Sequence, residues 1–132
     1  MPGRIMIFDD DADLIELCSI VLKSKHYEVR GFCKCTDILK EVLLFSPHVI
    51  LMDNRIPDTG GVKATREIKN DFRFKSIPVI FFSANERVQE LAAEAGADFY
   101  LQKPFDIGEL ETAVSKAIAI HNQALLGAPA PL

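Results

Sequence analysis

The sequence predicts an α/β fold in which five parallel strands alternate with five helices, and the helices cover both faces of one sheet. Two observations support this prediction. Short apolar runs alternate along the chain with longer segments whose apolar residues recur at helical spacing. Four of the apolar runs also end abruptly in polar side chains, which is typical of buried strands that deliver residues to the carboxyl edge of a parallel sheet. Right-handed crossovers would join successive strands.

The first half of the chain contains three predicted strands and two predicted helices. The apolar runs predict strands over residues 4–8, 27–33 and 49–52. The helical spacing of apolar residues predicts helices over residues 12–25 and 36–45. Thr36 or the nearby Asp37 provides the start signal of the second helix, because either side chain can accept a hydrogen bond from a free backbone amide.

The second half continues the alternation. Its predicted strands span residues 77–82 and 99–101, and its predicted helices span 62–70, 87–95 and 107 to about 121. Pro78 is tolerated near the beginning of the fourth strand. Gly96 is expected to end the fourth helix as a C-cap, and Asp106 is expected to cap the start of the fifth.

The length of 132 residues is typical of one domain with a single core. We expect this domain to span residues 1–124. Residues 125–132 contain the run Gly127-Ala128-Pro129-Ala130-Pro131, which cannot continue a helix. This stretch is therefore interpreted as a disordered tail or the start of a linker.

The bulk composition excludes several classes of function. The formal net charge is −4 and the chain has no basic stretch, which argues against general nucleic-acid binding. No apolar run approaches the roughly 20 residues needed to span a bilayer, and the short N-terminus leaves no room for a signal peptide. The three cysteines are an odd count, for which reduced cytosolic thiols are the simplest interpretation. We therefore expect a cytoplasmic protein.

Polar side chains follow four of the predicted strands. They are Asp9-Asp10-Asp11 after the first strand, Asp53 after the third, Ser83 after the fourth and Lys103 after the fifth. Because the carboxyl ends of parallel strands meet at one edge of the sheet, these side chains are expected to converge. Acids, a hydroxyl and an ammonium together suit a divalent cation and a phosphoryl group.

Crowded carboxylates at this edge predict a Mg²⁺ site, because Mg²⁺ prefers oxygen ligands and would compensate the repulsion between the acids. Asp10 and Asp53 are the predicted carboxylate ligands, with Asp9 acting directly or through water. The backbone carbonyl of Arg55 would complete the protein's share. The alternative is that the acids after the first strand only cap the first helix.

Asp53 is a candidate nucleophile, because aspartyl carboxylates accept phosphoryl groups. Lys103 would neutralise phosphoryl charge, while Ser83 and the backbone amide of Ala84 would donate hydrogen bonds to phosphoryl oxygens. The alternatives are an exposed surface lysine at Lys103 and a cap or turn residue at Ser83.

Together these residues resemble the receiver domain of two-component response regulators. The matching segments, in the family's order and at its usual spacing, are 7–10, 51–53 with Pro57 and Gly61, 79–84 and 95–105. The resemblance covers nearly the whole chain, from Arg4 to about His121. It implies a flavodoxin-like, doubly wound sheet of strand order 2-1-3-4-5.

The resemblance also implies a mechanism. Mg²⁺ would be held by Asp9, Asp10 and Asp53. A histidine kinase or histidine phosphotransfer protein would phosphorylate Asp53, with phosphate contacts from Ser83 and Lys103. The domain would be a signalling module that dephosphorylates itself slowly, not an enzyme. Tyr100 would be the aromatic switch, and the face of the fourth helix, fifth strand and fifth helix would dock a partner or a second copy.

The chain departs from the usual family pattern at several positions. Ser83 stands where threonine is commoner, and Gly60 stands where aspartate is frequent. Arg55 and Asn85 occupy variable positions that tune the access of water to the acyl phosphate, so they would set its lifetime.

Two other functions are compatible with parts of the pattern. A phosphohydrolase of the haloacid-dehalogenase type would use Asp9-x-Asp11, Ser83 and Lys103, but no acidic pair follows Lys103 at a strand end. A degenerate receiver would serve only as a docking module, which the intact acids disfavour. The histidines and cysteines lack zinc spacing. The cognate kinase and the output are not indicated by the sequence.

Overall fold

The computed structural model describes residues 3–125, which form a five-stranded parallel sheet flanked by helices. The strands are β1 (Arg4–Phe8), β2 (Glu28–Phe32), β3 (Val49–Asp53), β4 (Val79–Ser83) and β5 (Phe99–Gln102). The helices are α1 (Ala12–Ser24), α2 (Ile38–Phe45), α3 (Gly61–Asn70), α4 (Val88–Ala95) and α5 (Ile107–Leu125). The sheet order β2-β1-β3-β4-β5 confirms the predicted doubly wound topology.

The sheet is buried on both faces, as its apolar strands require. Every residue of β3 and β4 is buried. On one face, Met6, Ile50 and Met52 pack among residues of α2 and α3, and Phe81 packs against α4. On the other face, Ile7 and Leu51 pack among residues of α1 and α5. This two-sided core holds the carboxyl ends of β1, β3 and β4 rigidly at one edge.

Three predicted boundaries were wrong by two residues or more, and several others by one residue. β4 begins at Val79, not at residue 77, because Pro78 has no amide for the ladder and contributes only its carbonyl, to Ile50. α2 begins at Ile38, and Asp37 rather than Thr36 caps it by accepting from the amide of Lys40. α5 continues beyond residue 121.

The other predicted caps are confirmed. Gly96 ends α4 in the left-handed conformation, with φ of 81°. Asp106 accepts a 2.7 Å hydrogen bond from the amide of Glu109, and Glu109 accepts in return from the amide of Asp106, so a capping box starts α5. Leu125 is the last residue described, and the rest of the predicted tail lies outside the described residues. Within residues 3–125, no helix combines the length and the apolar character needed to cross a bilayer.

Candidate functional site at the carboxyl edge of the sheet

Three carboxylates meet where β1 and β3 end. Phe8 pairs with Met52 in the parallel ladder, so the residues that follow each of them, Asp9 and Asp53, are brought side by side. Asp9 is fully buried and Asp53 is 2% exposed, whereas Asp10 is exposed. One carboxylate oxygen of each of the three acids lies within 4.8 Å of the others. The predicted convergence of these acids is therefore present in the structure.

Lys103 supplies the positive charge of this cluster. Its Nζ donates to Asp9 Oδ2 at 2.6 Å and to Asp53 Oδ1 at 2.9 Å. Its backbone amide donates to the carbonyl of Ser83 at 2.8 Å, which fixes the lysine to the end of β4. The peptide bond between Lys103 and Pro104 is cis. The lysine is thus a partner of two buried carboxylates and not a free surface residue.

The electrostatic environment differs between the two partners. Burial raises the pKa of Asp9, an effect that the nearby Asp53 charge reinforces and the hydrogen bond from Lys103 opposes. Burial acts to lower the pKa of Lys103, but its hydrogen bonds to Asp9 and Asp53 outweigh burial and raise it above its usual value. The ammonium therefore stays charged at neutral pH.

Backbone amides orient the two buried carboxylates. Asp9 Oδ1 accepts from the amide of Asp11 at 2.9 Å, and Asp53 Oδ2 accepts from the amide of Arg55 at 3.1 Å. Asp11 itself caps α1 by accepting from two amides of the first turn. The acids after β1 therefore divide their roles, because Asp11 caps the helix while Asp9 belongs to the site.

A cleft of about 270 Å³ lies beside the residues that directly follow Asp53 and the end of β4. It is lined by Asn54, Arg55, Ser83, Ala84 and Asn85. Ser83 is buried at the end of β4, and its Oγ accepts a 3.0 Å hydrogen bond from the amide of Asn85. Because that bond uses an acceptor site of the hydroxyl, the hydroxyl proton remains available for donation. The cleft therefore offers polar groups from both β3 and β4.

The donor set fits a hard divalent cation. Asp9, Asp10 and Asp53 provide only oxygen ligands, and carboxylate oxygen is what Mg²⁺ prefers. The excess of three carboxylates over one ammonium also leaves negative charge for a cation to compensate. The carbonyl of Arg55 remains a predicted ligand. The contacts that the structure shows for this residue are the hydrogen bond from its amide to Asp53 and its place in the lining of the cleft.

Tyr100 lies outside this cluster. It pairs with Phe81 in the β4–β5 ladder, whereas Ser83 pairs with Gln102. Tyr100 is 48% exposed. The two predicted switch residues are therefore on neighbouring strands, two positions out of register, and the switch itself remains a prediction.

Sequence reasoning missed a histidine pair at the opposite edge of the sheet. The rings of His48 and His121 are 4.8 Å apart between centroids. His48 Nδ1 accepts from the amide of Arg4 at 2.8 Å, which ties the start of β1 to the segment before β3. The parallel order of β1 and β3 brings Arg4 to His48, and the packing of α5 beside β3 brings His121, so no local pattern indicates the pair.

Comparison with known proteins places this chain in a family. Residues 5–115 match the model of the response regulator receiver domain. The DNA-binding response regulator MtrA of Mycobacterium tuberculosis (strain ATCC 25618 / H37Rv) is 31% identical over 112 residues, which cover 83% of this chain and 48% of MtrA. The chain therefore belongs to the response regulator receiver domain family, whose members are signalling domains. It spans about half the length of the curated relatives it matches.

Solved structures agree with this assignment. A protein from Chloroflexus aurantiacus J-10-fl is 26% identical with a TM-score of 0.84, over 90% of this chain and 99% of that one. The BeF3-activated receiver domain of DrrB is 27% identical with a TM-score of 0.79, again over 90% of this chain and 99% of that one.

Proposed function

We propose that the domain accepts a phosphoryl group on Asp53 from a phosphohistidine of a histidine kinase or histidine phosphotransfer protein, in a Mg²⁺-dependent reaction. The observation that supports this most strongly is the position of Asp53, which is buried beside Lys103 and the other carboxylates while the two residues that follow it line a polar cleft. A nucleophile, a charge-neutralising cation and room for the phosphoryl group are thus adjacent.

In the proposed reaction, an oxygen of Asp53 forms a bond to phosphorus as the phosphorus–nitrogen bond to the donor's imidazole breaks. The electron pair of the broken bond stays on the imidazole. Lys103 would neutralise charge on one side of the phosphoryl group, and the Ser83 hydroxyl and Ala84 amide would donate hydrogen bonds to its oxygens. When bound by Asp9, Asp10, Asp53 and the Arg55 carbonyl, Mg²⁺ would supply two further positive charges. Hydrolysis of the acyl phosphate would be slow, at a rate tuned by Arg55 and Asn85.

An apolar groove supports a macromolecular donor. The groove has a volume of about 390 Å³ between α1 and the start of α5. Its apolar lining is Leu14, Leu17, Cys18, Val21, Pro104, Phe105, Ile107 and Leu110. Ala84 and Lys103 line it as well, so it is continuous with the phosphoacceptor region. We place the helix that carries the donor histidine in this groove.

The output is proposed to leave by the face of α4, β5 and α5, which would dock a partner or a second copy of the domain. We further propose that residues 1–124 act as the receiver domain in the cytoplasm, and that a tail or linker begins after the end of α5. The phosphohydrolase alternative is not favoured, because Glu109 and Glu111 lie inside α5 and not at a strand end. The intact Lys103–Asp53 pair disfavours a degenerate module.

The decisive experiment is phosphorylation with acetyl phosphate and Mg²⁺, followed by intact mass. The native chain should gain one phosphoryl mass, and Asp53→Asn should gain none. Asp58→Asn is the matched control, because Asp58 is an exposed acid of the same loop, and it should be labelled normally. Labelling of Asp53→Asn at the native level would contradict the proposal. A donor-specific variant, Leu17→Asp, should slow transfer from a phosphorylated histidine phosphotransfer protein while leaving labelling by acetyl phosphate unchanged.

A further inference from the structure

The loop between β3 and α3 is fastened to a distant part of the chain by one side chain. Thr59 Oγ1 donates a 2.9 Å hydrogen bond to the carbonyl of Cys35, in the loop between β2 and α2. Cys35 is 3% exposed and belongs to the same buried cluster as Ile56, which lies in the Thr59 loop. The two loops are thus joined by a hydrogen bond, and each contributes a residue to the same buried cluster.

The conformation around Thr59 requires such support. The residues on both sides of it have positive φ, 74° at Asp58 and 82° at Gly60. Glycine adopts this conformation readily, but aspartate does so at an energetic cost, and such residues persist where surrounding contacts over-determine them. Within the loop, the amide of Gly60 bonds to the carbonyl of Ile56. Among the described residues, the Thr59 hydroxyl makes the side-chain hydrogen bond that links this loop to the loop after β2.

The same loop begins at the phosphoacceptor. It leaves Asp53 through Arg55, whose amide bonds to the Asp53 carboxylate. The end of β2 also contacts the segment that carries Asp9 and Asp10, because the carbonyl of Phe32 accepts a hydrogen bond from the amide of Asp9 at 3.1 Å. The stretch from Phe32 to Cys35 therefore contacts both segments that carry the candidate metal ligands, one through Asp9 and the other through Thr59.

We infer that Thr59 is a positioning residue for the metal side of the site: its bond to Cys35 holds the loop of residues 54–60 in the conformation that presents the Arg55 carbonyl and the Asp53 carboxylate to Mg²⁺. This inference rests on the proposed function. Loss of the hydroxyl leaves the Cys35 carbonyl without this donor and frees the loop, so part of the binding free energy of Mg²⁺ is then consumed in ordering it.

The test compares Thr59→Val with Thr59→Ser. Valine keeps the shape and the β-branch but has no donor, whereas serine keeps the donor and loses a methyl group. Mg²⁺ affinity is measured by titration of backbone amide chemical shifts, and loop order by amide exchange of the metal-free protein. In Thr59→Val, affinity should fall about fivefold, the scale of one net hydrogen bond, and exchange should accelerate across residues 54–60 but not in the centre of β3. Thr59→Ser should restore both.

Native Mg²⁺ affinity in Thr59→Val would overturn the inference, and so would equal losses in the valine and serine variants. Thr59→Ala removes the same hydroxyl without adding a methyl group, so it must reproduce the valine result, and it serves if the valine variant folds poorly. Phosphorylation of the Asp53→Asn protein, measured in parallel, distinguishes failure of the role of Thr59 from failure of the proposed function. If Asp53→Asn abolishes phosphorylation while Thr59→Val changes neither affinity nor exchange, the role of Thr59 fails and the proposed function stands.

Discussion

The ammonium of Lys103 lies 2.9 Å from Asp53 Oδ1, and this single contact joins the end of β5 to the end of β3 across the intervening β4. The same ammonium also bonds to Asp9. One cation thus compensates two carboxylates that are almost completely buried, and the stability of this edge depends on it.

Replacement of Lys103 by methionine should destabilise the metal-free domain. It would leave two buried carboxylates without their cation. Because Lys103 is partly exposed, we expect the loss to be about 2–4 kcal/mol, less than for a fully buried ion pair. The free energy of unfolding, measured with urea, should fall accordingly, and Mg²⁺ should recover part of the loss. Lys63→Met is the control, since Lys63 is exposed on α3 and should change stability by less than about 0.5 kcal/mol. Equal effects of the two variants would show that Lys103 does not stabilise the buried acids.

Replacement of Asp10, the exposed acid of the cluster, should abolish metal binding without destabilising the fold. Asp10→Ala should abolish the rise in melting temperature that Mg²⁺ produces, because binding to the folded state alone stabilises it by linkage. Without metal, the variant should be as stable as the native chain or more stable, since one source of like-charge repulsion is gone. Asp13→Ala, on the exposed first turn of α1, should keep the Mg²⁺ response. A native response in Asp10→Ala would exclude Asp10 as a ligand.

The histidine pair predicts how stability changes at mildly acidic pH. Burial, and then the charges of Arg4 and His121, lower the pKa of His48, and burial with Arg4 lowers the pKa of His121. The unfolded chain therefore takes up protons first as the pH falls below about 6.5. The stability contributed by the neutral rings is fully present above that pH and is lost as the pH falls through the folded pKa values.

His48→Asn isolates this effect, because an asparagine oxygen can accept from the Arg4 amide but does not titrate. Between about pH 7 and pH 5, the free energy of unfolding should decline less steeply in this variant than in the native chain. His26→Asn replaces an exposed histidine and should retain the native slope. An unchanged slope in His48→Asn would mean that protonation of this ring is not coupled to unfolding.

Phosphorylation should reshape the face that contains Tyr100. We expect Ser83 to close on the phosphoryl group and free space that the half-exposed Tyr100 ring fills. Phosphorylation should shift the free-energy difference between the open and the closed arrangement of these side chains by about 1–3 kcal/mol. On addition of beryllofluoride and Mg²⁺, amide exchange should change over residues 86–95, 99–101 and the start of α5, and much less in α2. The Asp53→Asn protein should show no change. A response confined to the loops at Asp10 and Asp53 would require another output surface.

The parts of this fold that could be predicted from sequence are those with a strong local signal. The apolar runs of β3 and β4 and the caps at Gly96 and Asp106 are signals of this kind. The start of α2 was ambiguous because Thr36 and Asp37 are both competent caps, and only the surrounding packing selects one. The edge strand β2 has no fully buried residue, and Glu28, Arg30 and Gly31 are exposed, so its limits are weakly marked in the sequence.

The candidate site was predictable as a set of side chains but not as a geometry. Parallel strands must bring Asp9 and Asp53 to one edge, so their proximity follows from topology. The sequence does not indicate that Lys103 would bond to both, because this depends on how a long, flexible side chain is packed. The bond from Thr59 to Cys35 was equally hidden, since it joins two loops whose approach is set by the strand order.

Gly61 lies in close contact with the main chain of Asp53, the proposed phosphoacceptor. A Cβ at this position would collide with the carbonyl oxygen of Asp53, and the amide of Gly61 bonds to the carbonyl of Asn54 at 3.0 Å. The main chain at Asp53 therefore packs directly against the first turn of α3, with no room for a side chain between them. Any larger residue at 61 would push against the main chain of Asp53. We therefore expect any displacement of the Asp53 main chain to be shared with the first turn of α3.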